Sequence, residues 1–251
     1  MNNRQLSVFI DGIPIAEGCR LFLSGSQSLD LYPCLMILKI YNLSACSSLR
    51  LKQGGKISVS RGLSLIAEGE IQDMVQQTIP SGVLTTVGFS FGLPLWQSSV
   101  SLSLDAGLSA SETIRHLLAA SGCGVQLLSF PEEDPVFARP QAFFGRLPDA
   151  IRTVLSALRA KACLVPGGLI VLPEHAETVD VEVTEADLVD EPELLPDHAL
   201  ICTLPTGWPM GRRVKLTYRN QEYTGQIISH ELAADTAVGP FHSQLWIRKE
   251  T

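Results

Sequence analysis

The chain has 251 residues, 45% of them hydrophobic and 18% charged, with a formal net charge of −7. That composition buries a core in one large domain or two small ones and is not that of a disordered chain. It offers no Lys/Arg run for a nucleic-acid face, and its apolar runs are too short and interrupted for a membrane span. The opening MNNRQLSVFIDG lacks the long apolar core and small-residue cleavage site of a secretory signal, which argues against such a signal. The six cysteines, Cys19, Cys34, Cys46, Cys123, Cys163 and Cys202, form no CxxC pair and read as buried reduced thiols.

In chain order, residues 5–10 read as a strand, Asp11-Gly12 as a type I′ turn, and IPIAEG as the returning strand. Pro14 lacks a ladder donor, which places that strand at an edge or starts it near Pro14. Leu21–Gly25 is a further strand, SGSQSLDLYP a loop, and CLMILKIYNL (34–43) a strand buried on both faces. Gly54-Gly55 turns the chain into a half-buried strand at Lys56–Ser60. SLIAEGEI follows, where Gly69 marks a bulge or a barrel corner. VLTTVGFSFG and LWQSSVSLSL give two more strands. In the second, Val100, Leu102 and Leu104 alternate with serines.

The clearest helix is SASETIRHLLAASG, Ser109–Gly122. Ser109 and Glu112 make a capping box, Ile114, Leu117 and Leu118 share a face, and Gly122 suits a left-handed exit. A short strand is expected within Gly124–Phe130, and PEEDPVFARP is a proline-set loop. Arg146–Lys161 is a second helix, with Pro148 in its first turn and Ile151, Val154, Leu155 and Leu158 on one face. LIVLP is a strand. From Pro173 to Asp197 come ten acids and no Lys or Arg, so the chain's −7 becomes +3 outside this stretch. Leu200–Leu204, the alternation around Val214, Leu216 and Tyr218, a turn at Asn220-Gln221, YTGQII and FHSQLWIR close the chain as strands.

Gly55–Ile71 and Gly211–Ile227 share a pattern: glycine, basic residue, alternating strand, turn, strand, then Gly-x-Ile. Gly55 to Gly69 and Gly211 to Gly225 both span 14 residues. The first strands are out of phase by one residue, which implies a difference in turn length. The expected fold class is mainly β with an α/β insert (α+β). Two similar β-barrel domains, 1–105 and 173–251, flank a small two-helix α/β domain at 106–172.

No catalytic motif emerges. Gly54-Gly55-Lys56 lacks the spacing of a phosphate loop and reads as a hairpin turn. Glu174-His175-Ala176-Glu177 lacks HExxH spacing and reads as a solvated loop. His116 and Cys123 read as a satisfied histidine and a buried thiol rather than a nucleophile pair. No G-x-S-x-G elbow exists, and the clustered acids do not suit a glycosidase pair. The expectation is no enzyme, no cofactor and no metal. The acidic run has two readings, a solvated face or strand edge, and a surface at Asp187, Asp190, Glu191 and Glu193 that faces a passage for DNA or an extended protein, where like charge prevents sticking.

Several stretches together resemble the baseplate hub proteins of contractile-tailed phages, the late control protein D family, and the hub portion of type VI secretion spikes. They are SVFIDGIPI; FGLPLWQSSVSLSL with GLSASETIRHLLAASG; PDAIRTVLSALRAKACLVPGGLIVLP; and TLPTGWPMGRRVKLTYRNQEYTGQIISHEL ending in LWIR. The resemblance spans essentially the whole chain through diffuse motifs. It implies a trimer whose six barrels form a ring of approximate six-fold symmetry, matching a hexameric tail tube on one side and a trimeric spike on the other. The implied partners are the tail tube protein, a separate spike protein (since the chain stops at LWIRKET, just after the second barrel), the tape measure protein and other baseplate proteins. The implied location is the virion tail baseplate, after synthesis in the host cytoplasm. Another tube or spike-adapter barrel, or a cell-wall hydrolase, is the alternative.

Overall fold

The computed structural model describes residues 4–165, 167–173, 181–208 and 210–249. Strands β1 (Ser7–Ile10) and β2 (Ile13–Ile15) form the opening hairpin. Asp11 and Gly12 both have positive φ, 49° and 79°, as a type I′ turn requires. β2, with Pro14, ends the sheet path as expected. β3 (Leu21–Ser28) runs through half of the expected loop. β4 (Cys34–Tyr41) follows, then the short α1 (Ala45–Ser48), β5 (Lys56–Arg61), β6 (Ser64–Ile79) and β7 (Gly82–Phe91). β4 is a strand, but only one face is buried: Cys34, Met36, Leu38 and Ile40 point inward, whereas Leu35 and Ile37 are 58% and 46% exposed. Apolar residues at every position do not reveal which face lacks a cover.

The next stretch is LPLWQ, which forms α2 (Leu93–Gln97) rather than part of a strand. Gly92 supplies a left-handed start, φ 79°, and Pro94 suits the first turn. A Cβ on Gly92 would sit 2.3 Å from Leu164 Cδ1, so close packing also demands glycine. β8 (Ser99–Leu104) keeps its predicted alternation. α3 (Ala110–Ser121) carries the predicted capping box and a left-handed Gly122 at its exit. The loop after α3 helps hold its start: Ser111 N donates to Asp134 Oδ1 (2.9 Å) and Ala110 N to the Pro135 carbonyl (3.0 Å). β9 (Gln126–Ser129), β10 (Gln141–Arg146), α4 (Leu147–Leu158), β11 (Ala160–Val165) and β12 (Gly168–Pro173) complete this region. α4 ends earlier than Lys161, because Arg159 turns left-handed (φ 51°) and Ala160 starts β11.

β13 (Val181–Thr184), a 3-10 turn at Glu185–Asp187, β14 (Glu193–Leu194), β15 (His198–Thr203), β16 (Arg213–Tyr218), β17 (Gln221–Asp235) and β18 (Phe241–Lys249) close the chain. The turn between β16 and β17 centres on Arg219 and Asn220, both at positive φ, one residue earlier than the sequence pattern suggests.

Contacts divide the chain into two compact units. One comprises Met1–Gln27, Cys34–Phe91 and Val179–Thr251, and the other Ser28–Pro33 and Gly92–Thr178. In the second unit β8 pairs with β10, and β9, β12 and β11 form a small sheet with β9 and β12 parallel. The segment 92–105, grouped by sequence with the first barrel, therefore clusters with the helices, since β10 is the partner of β8. Ile114, Leu117, Ile151 and Val154 are all essentially buried, and α3 packs on α4.

In the first unit, one sheet path runs β14-β15-β18-β17-β3-β4-β7-β6-β5-β1-β2, with β13 attached through β16. The mainly β architecture with a helical insert agrees with the sequence reading. The inward residues of β1–β7, among them Val8, Leu23, Leu38, Val59, Ile71 and Phe89, make one apolar core. Leu232, Ala234 and Phe241, from β17 and β18, pack into that same core.

Candidate assembly surfaces and the internal repeat

Two halves of the first unit repeat a strand arrangement. The order β4-β7-β6-β5-β1 in one half corresponds to β15-β18-β17-β16-β13 in the other. Gly54 N donates to the Ile71 carbonyl and Ile71 N to the Gly55 carbonyl. Gly211 N donates to the Ile227 carbonyl and Ile227 N to the Arg212 carbonyl. These closures match Gly54, not Gly55, with Gly211. The correction places Ile57 with Val214 and Val59 with Leu216, in phase. Both hairpins then have two-residue turns, so turn length is not the difference. A bulge at Ile66 absorbs the extra residue: Val59 faces Ala67 while Ser60 faces Leu65, whereas the β16/β17 register runs unbroken.

Gly69 and Gly225 sit at the same place in each half, two residues before a second register shift. That shift falls between Ile71 and Asp73 in one half and between Ile227 and Ser229 in the other. A Cβ would lie 2.6 Å from the Ser90 carbonyl at Gly69 and 2.3 Å from the Arg248 carbonyl at Gly225. Each glycine lets the neighbouring strand's carbonyl come close, and the register shift lies two residues beyond it rather than at the glycine itself. Past the shifts, β6 and β17 continue as extensions that the sequence reading ended at Ile71 and Ile228.

The extensions differ in surroundings. On β17, His230, Leu232 and Ala234 are buried. His230 Nε2 lies 3.1 Å from Ser243 Oγ, and burial holds its imidazole neutral, with a pKa down to about 4. The β17 extension joins β3: Thr236 N donates to the Leu21 carbonyl (2.9 Å), Leu21 N to Thr236 Oγ1 (2.9 Å), and Ser229 Oγ to the Gln27 carbonyl (3.4 Å). Arg20 grips Asp235 through two bonds, 3.1 and 2.6 Å, and holds its carboxyl below the usual carboxylate range. On β6, every residue from Asp73 to Thr78 is exposed.

The described part of the acidic run is a structured margin of the second half. Asp187 Oδ2 accepts from Thr184 N and Oγ1 (2.9 and 2.8 Å), bonds that hold its pKa low. Glu185 accepts from Arg219 N, and Glu191 pairs with the Arg219 guanidinium at 2.8 Å. Glu193 lies in β14 beside β15, and Asp190 is exposed. Burial and the nearby Asp190 push the Cys202 thiol up. Glu174, His175, Glu177 and Asp180 lie outside the described residues.

The remaining chemical candidates sit apart. His116 is exposed on α3, and Cys123 is half-buried beyond its end. Among the described residues, no three His, Cys, Asp or Glu gather as metal ligands, and no helix is long and apolar enough to cross a membrane. Of the six free thiols only Cys34 and Cys163 are fully buried, and Cys46 is exposed, contrary to the expectation for all six. Burial pushes the Cys34 thiol up to about 12.

No protein-family model matches the chain, and no curated protein matches it. Solved structures do. A tail protein from Neisseria meningitidis superposes with a TM-score of 0.73 at 10% identity, over 98% of this chain and 96% of that one. The 43 kDa tail protein of prophage MuSo2 from Shewanella oneidensis gives 0.72 at 9%, over 97% of both chains. A type VI secretion component from Escherichia coli, described as similar to the T4 tail proteins gp27 and gp5, gives 0.69 at 10%, over 97% and 77%. The fold is thus one shared by phage tail proteins and a type VI secretion component.

Proposed function

We propose that the chain is a structural component of a phage tail or phage-like injection device, and specifically its baseplate hub. In this reading three copies form a ring with six similar β halves, adapting a hexameric tube to a trimeric spike. The observation that carries it is the repeat itself: two halves with the same strand order and matching registers let a three-fold assembly present six like surfaces. The near-full-length likeness to tail proteins supports the same reading.

The role is structural rather than catalytic, and the partners are the tube protein, a separate spike protein and, beside them, the tape measure and other baseplate proteins in the virion. Asp187, Asp190, Glu191 and Glu193, all exposed, face the passage and keep it from holding the cargo. Electron cryomicroscopy of the assembled particle tests the whole reading. The expected map has six β halves around one axis, with these acids turned to the lumen. A particle without this chain at the tube–spike junction would refute the hub, and acids turned outward would refute only the lumen assignment.

A further inference from the structure

An open cleft of about 520 Å³ lies between α3 and β9 in the helical unit. Ile114 and Leu117 of α3 are taken up by packing, whereas Arg115, Leu118 and Ala119 line the cleft. The chain passes from α3 to β9 through Gly122 and Gly124, both at positive φ (65° and 72°), and that turn closes one end. Val125 and Leu127 line the strand side.

β9 is the last strand of its three-stranded sheet. β12 pairs one side of it, and among the described residues no strand pairs the other. The pairing with β12 breaks at Leu128, since Leu127 faces Leu169 while Ser129 faces Ile170. The regular part of this edge, Gln126 and Leu127, is therefore the part beside the cleft.

Arg115 marks the open end, as the lining residue of α3 farthest from the glycine turn. Its Nη1 donates to Ser111 Oγ (2.9 Å), and it forms no ion pair among the described residues. Glu112, three residues earlier, is engaged by the helix cap, where its Oε2 accepts from Ser109 N (2.8 Å).

We propose that this cleft binds an extended acidic segment of a partner protein, laid along β9 as an added strand with a carboxylate on Arg115. The walls offer strand backbone, apolar side chains and a cation. They lack the converging polar side chains of a small-metabolite site, so they suit a main chain. The added strand bonds to the backbone groups of the β9 edge, and its alternate side chains pack on Leu118, Val125 and Leu127. From Arg115 to Gly122 is about 10 Å of helix at ~1.5 Å per residue, room for about three extended residues. The guanidinium selects a carboxylate at the open end and rejects a lysine there. The contact uses neither a ring nor a second copy, so it stands apart from the hub reading.

The test uses the full chain and fluorescein-labelled synthetic peptides, read by fluorescence anisotropy. The probe is a pentapeptide amide that alternates threonine and valine and ends in aspartate. One control ends in asparagine, and another has its central backbone nitrogen methylated. Saturable binding of the aspartate peptide is expected, with binding at least about tenfold weaker for the asparagine peptide and lost on methylation. Arg115→Gln should erase the difference between the aspartate and asparagine peptides. Ala119→Tyr, at an exposed helix position, should fill the cleft and abolish binding with an unchanged melting temperature. No binding of the aspartate peptide up to about 1 mM, equal binding of the two peptides, or binding that survives Ala119→Tyr overturns the inference. Self-association of the chain that Ala119→Tyr abolishes would make a second copy the occupant and overturn the partner assignment. The hub reading stands or falls on the particle map in each case.

Discussion

The two β halves share a scaffold and diverge at its rims. Both place a glycine where a long strand closely approaches its neighbour's carbonyl, and both shift register two residues later. One half absorbs an extra residue in the bulge at Ile66, and the other has none. β1 meets β5 antiparallel, whereas the matching β13 meets β16 in parallel. The largest difference is in the extensions, since the same hairpin is core on one side of the repeat and surface on the other. A duplicated fold therefore keeps its backbone closures and changes side chains wherever a neighbour is present or absent.

The strongest way to break the comparison is to place the same charge at matched sites. Leu232→Asp buries a carboxylate in the first half's core and is expected to cost about 4 kcal/mol or more. Gln76→Asp, its exposed counterpart, loses the Gln76 Nε2 bonds to Ser48 Oγ (2.7 Å) and Thr85 Oγ1 (3.2 Å) and is expected to cost about 1 kcal/mol. Urea denaturation of both variants, at concentrations where the chain is monomeric, checks the pair. Equal losses would mean that the extensions are not in different environments.

A smaller effect comes from His230, whose counterpart Met74 cannot titrate. Its folded pKa, about 4, lies below the unfolded value of about 6.5. Between those values the unfolded chain binds the extra proton, so stability is full above pH ~6.5 and falls as pH drops toward 4. The total loss is on the order of 3 kcal/mol. His230→Gln should flatten this part of the pH dependence in urea midpoints measured from pH 7 to pH 4.5. An unaltered slope would show that another group carries the acid sensitivity.

The smallest effect is expected at the Arg20–Asp235 pair. Arg20→Ala leaves a nearly buried carboxylate with fewer partners, while the guanidinium itself is 43% exposed and screened by solvent. A loss smaller than that of Leu232→Asp follows. Lys at this position should recover only part of it, because the two-bond fork is lost. Full recovery by Lys in thermal melts would reduce the pair to simple charge attraction.

Much of the fold was legible because its signals are local. The capping box of Ser109 and Glu112, the Asp11-Gly12 turn, the edge strand with Pro14 and the apolar faces of α3 and α4 each depend on residues a few positions apart. The repeat was legible as well, through Gly69 and Gly225, but its phase was misread. Gly54 and Gly55 are indistinguishable in sequence, and only the hydrogen bonds to Ile71 choose between them. LWQ read as strand because its helix depends on the left-handed Gly92 and its packing on Leu164.

What the sequence determined by itself is the mainly β class, the position of the helices and the presence of a duplication, since alternation, capping and spacing act within short windows. What the tertiary structure decided is partnership: that β8 joins β10, that β4 has one open face, and that the β17 extension completes the other half's core while Asp73–Thr78 of β6 stay exposed. Such pairings bring together residues more than 200 positions apart, as Arg20 and Asp235 are. No local pattern encodes them, because burial depends on what arrives from elsewhere in the chain.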